Sequence, residues 1–266
     1  MIKSVYDMLD TELKNNFTIG IEDDVTHLSL PIDNTFNIDL GLEELNIYGF
    51  GSDGMVSASK DILKVLGEEQ GYFVQGYFKY DSKKSNGITI SNLRYGKRQI
   101  KAPFYNNNPK LVVITKDEYL RKLDMFKGIK EYGTVILNTP LNETEIFNKM
   151  KSKDLLLLQK NNIKFYYINA SKLALEAGIK GKINKIMETI ILKYLNIPDY
   201  EEVVIEGIKK VFKTKGEDVI NTNIKAIQSI NDNLKILDLT KASSKKEEEE
   251  PKDIVSIIND MKGDEL

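Results

Sequence analysis

The sequence predicts an α/β protein: a three-layer α/β/α domain with a mostly parallel sheet, further helices at the carboxyl end and a short tail helix. Six short runs rich in β-branched and aromatic residues recur between positions 45 and 168, and helical patterns lie between several of them. Such alternation is typical of layered α/β domains. Hydrophobic residues make up 41% of the 266 residues, which is sufficient for a globular core.

The six runs are predicted to be strands because each is short and mostly apolar, as buried strands of a parallel sheet are. They span Leu45–Gly49, Tyr72–Tyr80, Ile88–Leu93, Leu111–Thr115, Thr134–Leu137 and Ile163–Ile168. We predict no strand after Ile168. In the polar lead-in, Phe17–Pro31 (FTIGIEDDVTHLSLP) lacks a helical period and predicts a strand followed by an extended stretch.

Apolar residues at helical spacing predict helices between and after the strands. Two early stripes of this kind lie in Met55–Leu66 and Tyr119–Phe126. Three later stripes lie in Ile183–Leu195, Val204–Phe212 and Val219–Leu234. We expect these later helices to cover the sheet and to supply an outer layer of the domain.

The predicted organisation has three parts: a lead-in connecting segment over residues 1–40, a main domain over 41–240, and a charged linker with a short helix over 241–266. The linker Lys241–Asp253 (KASSKKEEEEPKD) is charged and of low complexity. Beyond it, a spacing of i, i+3, i+4 and i+7 predicts a short amphipathic helix, carried by Ile254, Ile257, Ile258 and Met261. A helix without a core of its own is expected to dock on this domain or on a neighbour.

The composition excludes several kinds of site. The chain has no cysteine, so it holds neither a disulfide, nor a thiolate nucleophile, nor a cysteine-ligated iron–sulfur cluster. Its one histidine, His27, lies near Asp23 and Asp24. One histidine on an extended segment rarely completes a metal site, so we expect a structural or interface role for it. We assign no catalytic residue and no metal ligand to this chain.

Charge and hydropathy also exclude some partners. A formal net charge of -2 and a sequence pI of about 5.7 argue against a general nucleic-acid binder. No run approaches the ~18 apolar residues that a membrane-spanning helix needs, so no membrane association is expected. Met1–Asp10 contains no apolar secretory core, and a cytoplasmic location is the expectation.

The strongest candidate for a binding site is Leu45–Met55 (LNIYGFGSDGM), which connects a predicted strand to a predicted helix. Gly49, Gly51 and Gly54 fit the pattern G-x-G-x-x-G, in which glycines allow a tight turn and the helix start offers N–H groups to phosphate. Asp53 is unfavourable beside a pyrophosphate, so we expect it to cap the helix or to bond a ribose or an amine. The alternative is a tight turn that binds nothing.

Three further features are candidates for an anion or nucleotide site. Lys83 lies in Tyr80–Ser85 (YDSKKS) after a predicted strand and supplies a point charge for phosphate, although a solvated turn is the alternative. Ala177–Asn184 (AGIKGKIN) leads into a helix start that favours anions, or is an ordinary cap. Asn223 lies on an apolar helix face and needs a partner, either a backbone group or a ligand.

Four blocks, in order, resemble one family. They are GFGSDGM at 49–55, QGYFKYDSKKSNGITISNLRYG at 75–96, FYYINASKLALEAGIKGKINKIM at 165–187 and KGEDVINTN at 215–223. Together they look like the central, gamma-type domain of pyruvate:ferredoxin (flavodoxin) oxidoreductases and related 2-oxoacid:ferredoxin oxidoreductases. The lead-in FTIGIEDDVTHLSLP and the tail DMKGDEL resemble the segments that connect this domain to its neighbours.

The resemblance implies a multidomain enzyme that converts a 2-oxoacid and coenzyme A into acyl-CoA and CO2 and passes electrons to ferredoxin or flavodoxin. Thiamine diphosphate, Mg and [4Fe–4S] clusters are implied only in other domains or subunits, so this chain alone is expected to be inactive. The domain itself is implied to bind coenzyme A. Carried over by position, the binding residues are Gly51, Ser52, Asp53, Gly54, Met55, Lys83, Asn184 and Asn223.

Two positions depart from the family pattern. Met55 stands where threonine is more common, and Gly-Lys-Ile-Asn at 181–184 replaces a form with arginine, which keeps the charge but loses the guanidinium fork. Two alternatives to a coenzyme A-binding domain remain: a free-standing module for NAD or a related nucleotide, and a structural bridge that binds nothing. The NAD alternative is weakened because Asp81 comes too late for the usual acidic residue.

Overall fold

The computed structural model describes residues 2–21, 25–33, 36, 40–81, 87–179 and 181–242. The chain divides into two compact units, residues 1–41 and the residues from 42 onward. Several predicted features lie outside the described residues: Asp23 and Asp24, Lys83, nearly all of the charged linker, and the tail helix.

The first unit contains little regular structure in its described residues. Helix α1 spans Ile2–Asp7. The strand predicted within Phe17–Pro31 is wrong for the described residues, which form a single isolated bridge between Thr18 and Ser29. The N–H of Thr18 donates to the carbonyl of Leu28 at 3.1 Å. Two parts of the segment therefore pair through one parallel bridge. A local apolar pattern does not distinguish such a bridge from a strand in a sheet.

The second unit is built on one seven-stranded sheet with the order β2-β3-β1-β4-β5-β6-β7. The strands are β1 Glu43–Phe50, β2 Phe73–Tyr80, β3 Ile88–Gly96, β4 Leu111–Ile114, β5 Thr134–Asn138, β6 Lys164–Ile168 and β7 Lys235–Leu237. β1, β4, β5 and β6 are parallel neighbours, β3 is antiparallel to both of its neighbours, and β7 is antiparallel to β6. Most strands therefore run in one direction, and the predicted mostly parallel sheet is confirmed.

Helices connect the strands and follow them. They are α2 Met55–Lys64, α3 Tyr119–Lys122, α4 Glu143–Lys149, α5 Ser152–Lys160, α6 Ala170–Glu176, α7 Asn184–Tyr194, α8 Tyr200–Phe212, α9 Glu217–Gln228 and α10 Ile230–Asn233. In the part of the chain that the structure describes, no helix has both the length and the apolar character to cross a membrane.

The helices lie on both faces of the sheet, so the domain has the three layers that the sequence predicts. On one face, Leu45 and Leu93 of the sheet join residues of α2, α6, α7, α8 and α9 in one hydrophobic cluster. On the other face, the sheet packs against α3, α4 and α5. β4 contributes side chains to both clusters, Val113 to the first and Val112 to the second. The reason is that successive side chains of a strand point to opposite faces of the sheet.

A short strand corrects the prediction that no strand follows Ile168. β7 has three residues and pairs with β6, with Leu237 opposite Phe165. Leu237 is buried, whereas Lys235 and Ile236 are exposed. Three residues are too few to give a recognisable apolar period, and the pairing with β6 is what makes this segment a strand.

The helix predicted over Tyr119–Phe126 is shorter than its apolar pattern. α3 ends at Lys122, because Leu123 is extended, with φ −123° and ψ 151°. Phe126 is nevertheless buried, from a loop. The helix predicted over 219–234 similarly divides into α9 and α10. Apolar residues at helical spacing indicate which side chains are buried. They do not distinguish a helix from a loop that packs against the core, because both can give the same spacing.

Candidate functional site

The carboxyl ends of the parallel strands meet at one edge of the sheet, and the candidate site lies there. β1 leads into α2 on one face of the sheet, whereas β4 leads into α3 on the other. A crevice is expected between β1 and β4, because ligands of open α/β sheets bind where the connections change face. The loop that follows β1 contains most of the predicted binding residues.

The loop from Gly51 to Gly54 has a backbone that ordinary residues rarely adopt. Ser52 and Gly54 have φ angles of 77° and 86°, in the left-handed region. The N–H of Gly51 donates to the carbonyl of Gly87 at 2.8 Å, which ties the loop to the start of β3. Met55 begins α2, and its side chain is buried in the core. A ligand in the loop therefore meets the backbone of Met55 and not its side chain.

Asp53 organises the loop from within. Its carboxylate accepts hydrogen bonds from the N–H of Phe50 at 2.7 Å, from the N–H of Met55 at 2.8 Å and from the hydroxyl of Thr115 at 2.9 Å. Burial raises the pKa of Asp53, while these hydrogen bonds and Lys116 oppose the rise. The carboxylate thus occupies an N–H group at the start of α2 that a phosphate would otherwise approach.

Two glycines of the motif allow close packing around the loop. A Cβ built at Gly54 would lie 3.0 Å from Cβ and 3.1 Å from Cγ of Asn184, the first residue of α7. A Cβ built at Gly49 would lie 2.6 Å from Oγ1 of Thr89. Any side chain at position 54 would therefore displace Asn184, and one at position 49 would require the side chain of Thr89 to move.

Asn184 and Asn223 line one cavity of about 440 Å³ at the amino ends of α7 and α9. Its walls are formed by Gly178, Ile179, Lys182, Asn184, Phe212, Lys215, Asp218, Val219, Thr222 and Asn223. The volume falls in the range of small-molecule sites. Because Asn184 also lies against Gly54, the cavity is adjacent to the glycine loop.

Asn223 lies on the buried face of α9 and is 7% exposed. Its Nδ2 donates to the carbonyl of Val219 at 2.8 Å, one turn earlier in the helix. From the sequence, the partner of this amide was expected to be either a backbone group or a ligand. The structure shows a backbone partner. This bond uses the donor half of the amide, and its oxygen retains its capacity to accept a hydrogen bond from a molecule in the cavity.

The structure brings most of the predicted binding residues into one region, formed by the loop, the start of α7 and the cavity. The residues in this region are Gly51, Ser52, Asp53, Gly54, Met55, Asn184 and Asn223. Lys83 lies outside the described residues. His27 belongs to the first unit. Across the described ranges, no group of three or more histidine, aspartate or glutamate side chains is placed to hold a metal ion.

Two polar side chains at the carboxyl ends of the strands are not among the residues that the sequence predicts for the site. Thr115 follows β4 and donates to Asp53, and Asn138 ends β5. Nδ2 of Asn138 donates to the carbonyl of Thr115 at 3.0 Å, and its Oδ1 accepts from the N–H of Ala170 at 2.9 Å. Thr115 ends one predicted strand and Asn138 follows another, so a search of polar residues at strand ends would have found them.

A buried ion cluster holds α7 against α2 beside the site. Nζ of Lys185 lies 2.9 Å from Oδ2 of Asp61 and 2.8 Å from Oε2 of Glu188. Burial raises the pKa of Glu188 to about 7, an effect that Lys185 opposes. Burial alone would lower the pKa of Lys185, but Glu188 and Asp61 outweigh burial and raise it. The lysine therefore stays charged between the two helices.

Glu188→Gln is expected to remove part of the pH dependence of stability. The pKa of about 7 in the folded chain exceeds the ordinary value of 4.5, so the free energy of unfolding falls as pH rises from about 4.5 through about 7. The variant lacks this loss. The difference in free energy of unfolding, variant minus native chain, should therefore increase by about 2–3 kcal/mol from about pH 5 to pH 8. Urea unfolding at each pH measures this difference.

Glu206→Gln is the matched control for this experiment. Glu206 has the same i, i+3 spacing to Lys209, at 2.7 Å, but these side chains are 71% and 52% exposed. The control should change the free energy of unfolding by less than about 0.5 kcal/mol at every pH. If Glu188→Gln followed the pH profile of the native chain, another group would account for the titration.

Comparison with known proteins places the chain in a family. Residues 44–231 match the model described as "Pyruvate ferredoxin/flavodoxin oxidoreductase". The pyruvate-flavodoxin oxidoreductase of Trichormus variabilis is 39% identical over 88% of this chain and 20% of its own length. The pyruvate:ferredoxin oxidoreductase of Moorella thermoacetica is 34% identical over 100% of this chain and 24% of its own length. The chain thus spans about a fifth to a quarter of these relatives.

Two solved structures share the fold. Subunit PORC of the pyruvate oxidoreductase from Thermotoga maritima has a TM-score of 0.59 and 22% identity, over 74% of this chain and 99% of that chain. The 2-oxoglutarate:ferredoxin oxidoreductase from Magnetococcus marinus has a TM-score of 0.55 and 16% identity, over 79% of this chain and 33% of that chain. The family match covers most of the chain, and both relatives exceed 30% identity over nearly all of it. The chain therefore belongs to the pyruvate ferredoxin/flavodoxin oxidoreductase family.

Proposed function

We propose that this chain is the coenzyme A-binding domain or subunit of a pyruvate:ferredoxin or pyruvate:flavodoxin oxidoreductase. The complete enzyme would convert a 2-oxoacid, coenzyme A and oxidised ferredoxin into acyl-CoA, CO2 and reduced ferredoxin. Thiamine diphosphate, Mg and [4Fe–4S] clusters would belong to other domains or subunits, which are the proposed partners of this chain. The chain alone would bind coenzyme A without catalysis, in the cytoplasmic setting that the resemblance implies.

One observation carries this proposal: the loop after β1, the start of α7 and the cavity beside α9 are contiguous. Gly54 packs against Asn184, and Asn184 lines the cavity together with Asn223. These residues are far apart in the sequence. Their convergence brings together backbone N–H groups, two side-chain amides and lysine side chains, a combination that supports a ligand with amide and phosphate groups.

The names of similar proteins support the same class of enzyme. The relatives from Trichormus variabilis and Moorella thermoacetica are named for pyruvate with flavodoxin or ferredoxin. The enzyme from Magnetococcus marinus, whose fold this chain shares, was solved with 2-oxoglutarate, coenzyme A and succinyl-CoA bound. These descriptions belong to those proteins, and they favour coenzyme A as the ligand to test first.

The order of the strands argues against the NAD alternative. In dinucleotide-binding folds, the strand after the first helix lies parallel beside the first strand and ends in an acidic residue that bonds the ribose. Here α2 leads to β2, and β3 separates β2 from β1. Asp81, which follows β2, is therefore two strands away from the glycine loop.

Calorimetric titration of the purified chain with coenzyme A tests the proposal. We expect coenzyme A to bind and NAD not to bind. Lys83→Ala should weaken coenzyme A binding about tenfold, because a lysine contributes charge-assisted hydrogen bonds to a phosphate. Lys209→Ala is the control, since Lys209 is exposed and pairs with Glu206 on α8. It should leave the affinity unchanged.

Each outcome distinguishes the alternatives. Binding of NAD without competition from coenzyme A would favour the free-standing nucleotide-binding module. Binding of neither ligand would contradict the proposal and favour a structural bridge. Equal affinities of native chain and Lys83→Ala for coenzyme A would remove Lys83 from the site while leaving the binding function intact.

A further inference from the structure

We infer that the free edge of β2 is a docking surface for an extended acidic segment of a neighbouring domain or subunit of the oxidoreductase, which adds to the sheet as one further strand. The inference rests on the proposed function, in which other domains or subunits are the partners of this chain. The β2 edge surface comprises β2, the carboxyl end of β3 and the loop 97–105 that follows β3.

β2 is the last strand at one side of the sheet, and among the described residues it pairs with β3 alone. The backbone groups on its outer side therefore remain available to a further strand. β2 is eight residues long, and its side chains Phe73, Tyr77 and Tyr80 are 50%, 55% and 62% exposed. Proteins normally cover or interrupt an apolar edge strand of this length. An extended polypeptide covers it best, because main-chain hydrogen bonds and alternate side chains both find partners.

The loop 97–105 enlarges the apolar part of the surface. Nε2 of Gln75 donates to the carbonyl of Ala102 at 3.1 Å, which holds the loop beside β2. Phe104 and Tyr105 are 43% and 42% exposed. The ring of Tyr105 packs edge-on against that of Tyr77, with 4.9 Å between the ring centres. These aromatic rings already hold one another in place, so a partner strand loses little affinity through the ordering of side chains.

The charge of this part of the chain indicates an acidic partner. Residues 71–110 contain one acidic residue, Asp81, and eight basic residues, although the whole chain has a net charge of -2. The eight are Lys79, Lys83, Lys84, Arg94, Lys97, Arg98, Lys101 and Lys110. Lys97, Arg98 and Lys101 are exposed and form no ion pair with any residue that the structure describes. Complementary charge favours an acidic segment here and disfavours a second copy of the same basic surface.

The basic end of the β2 edge surface lies far from the glycine loop. β3 is antiparallel to β1 and places Tyr95 opposite Glu43, so the loop 97–105 begins at the amino end of β1. The glycine loop follows the carboxyl end of β1. The eight residues of β1 separate the two loops by roughly 20–25 Å. A partner at the basic end therefore leaves the proposed coenzyme A site accessible.

The length of the relatives favours a neighbouring domain or subunit as the source of the segment. This chain matches 20% of the pyruvate-flavodoxin oxidoreductase of Trichormus variabilis and 24% of the pyruvate:ferredoxin oxidoreductase of Moorella thermoacetica. Most of each relative therefore lies outside the matched region. A complete enzyme of this kind has ample polypeptide from which to supply one extended strand.

Fluorescence polarisation with a labelled synthetic peptide tests the surface. The probe alternates glutamate with valine, and two control peptides carry lysine instead of glutamate or N-methyl groups on alternate backbone nitrogens. We expect the acidic peptide to bind the full chain, more weakly as salt increases, and both control peptides to bind about tenfold more weakly. The triple variant Lys97→Gln, Arg98→Gln, Lys101→Gln should bind the acidic peptide about tenfold more weakly than the native chain.

A second triple variant controls for general loss of charge. It replaces Lys127, Lys160 and Lys164 with glutamine; these lysines are exposed and lie outside the β2 edge surface. The control should keep its affinity for the acidic peptide within about twofold. All substituted side chains are exposed, so both triple variants should unfold at the temperature of the native chain.

Several results would overturn the inference. Equal binding of the acidic and basic peptides, or equal affinities of the native chain and the first triple variant, would show that charge does not select the partner. Preference for single-stranded RNA over the acidic peptide would assign the surface to nucleic acid. A dimer that dissociates in the first triple variant would assign it to a second copy. Tighter peptide binding after replacement of the four glutamates at 247–250 with glutamine would assign it to the tail of this chain.

Calorimetric titration of the same variants with coenzyme A separates this inference from the proposed function. The first triple variant should bind coenzyme A as the native chain does. Peptide binding without coenzyme A binding would reject the proposed coenzyme A function and leave the docking surface. Coenzyme A binding without peptide binding would reject the docking surface and leave the proposed function.

Discussion

Replacing Gly54 with alanine is expected to abolish measurable coenzyme A binding and to lower the free energy of unfolding by about 1–3 kcal/mol. The φ angle of 86° is costly for any residue with a Cβ, and that Cβ would lie 3.0 Å from the Cβ of Asn184. Relief of this contact requires the loop or α7 to move, and either movement separates the two halves of the site. Calorimetry and urea unfolding measure the two effects.

Gly71→Ala is the matched control. Gly71 has a similar φ of 68°, but nothing lies within 4 Å of the Cβ that alanine would add. The control should lose a similar part of its stability through backbone strain and retain full affinity for coenzyme A. A folded Gly54→Ala chain that bound coenzyme A as tightly as the native chain would show that the approach of Gly54 to Asn184 is not needed for binding.

Glu44→Gln is expected to cause the largest loss of stability, about 3–5 kcal/mol, because it leaves a buried arginine without its counter-charge. Nε of Arg94 donates to Oε1 of Glu44 at 2.7 Å, and the N–H groups of Asn107 and Asn108 donate to Oε2 at 2.9 and 2.8 Å. Both carboxylate oxygens thus accept. Glutamine has one acceptor, so in either orientation its NH2 group meets a donor.

Urea unfolding measures this loss, and Glu176→Gln serves as the control. Glu176 pairs with Lys172 at 3.6 Å, where the side chains are 57% and 65% exposed, and its replacement should change stability by less than about 0.5 kcal/mol. Glu44 lies at the amino end of β1, away from the loop, so folded Glu44→Gln should bind coenzyme A normally. A loss no larger than that of the control would show that the ion pair with Arg94 is dispensable.

The strands were predictable because short runs of β-branched and aromatic residues leave a direct record in the sequence. The expected burial holds for β4 and most of β1, whereas the edge strand β2 is half-buried or exposed along its whole length. All six predicted strands occur close to their predicted bounds. Their order was not predictable in the same way. β3 is inserted between β1 and β2, and the local composition of Ile88–Leu93 is that of any buried strand. β7 left no apolar period at all, since it depends on pairing with β6.

The candidate site was predictable in its parts. The glycine motif between a strand and a helix pointed to the loop, and the apolar context of Asn223 pointed to a buried amide. The role of Asp53 depended on the hydroxyl of Thr115, which donates to it from the end of β4. No spacing in the sequence connects these two residues, because the contact exists only once β1 and β4 lie side by side.

By itself, the sequence determined the alternation of strands and helices, the lack of cysteine chemistry and the identity of the blocks that resemble the oxidoreductase family. These properties depend on residue type and local spacing alone. Only the tertiary structure decided that Gly54 packs against Asn184 and that Lys182 and Lys215 line one cavity with Asn223. The physical reason is that contacts between distant segments follow from the order of the strands and the packing of α2, α7 and α9, and local patterns do not specify that order.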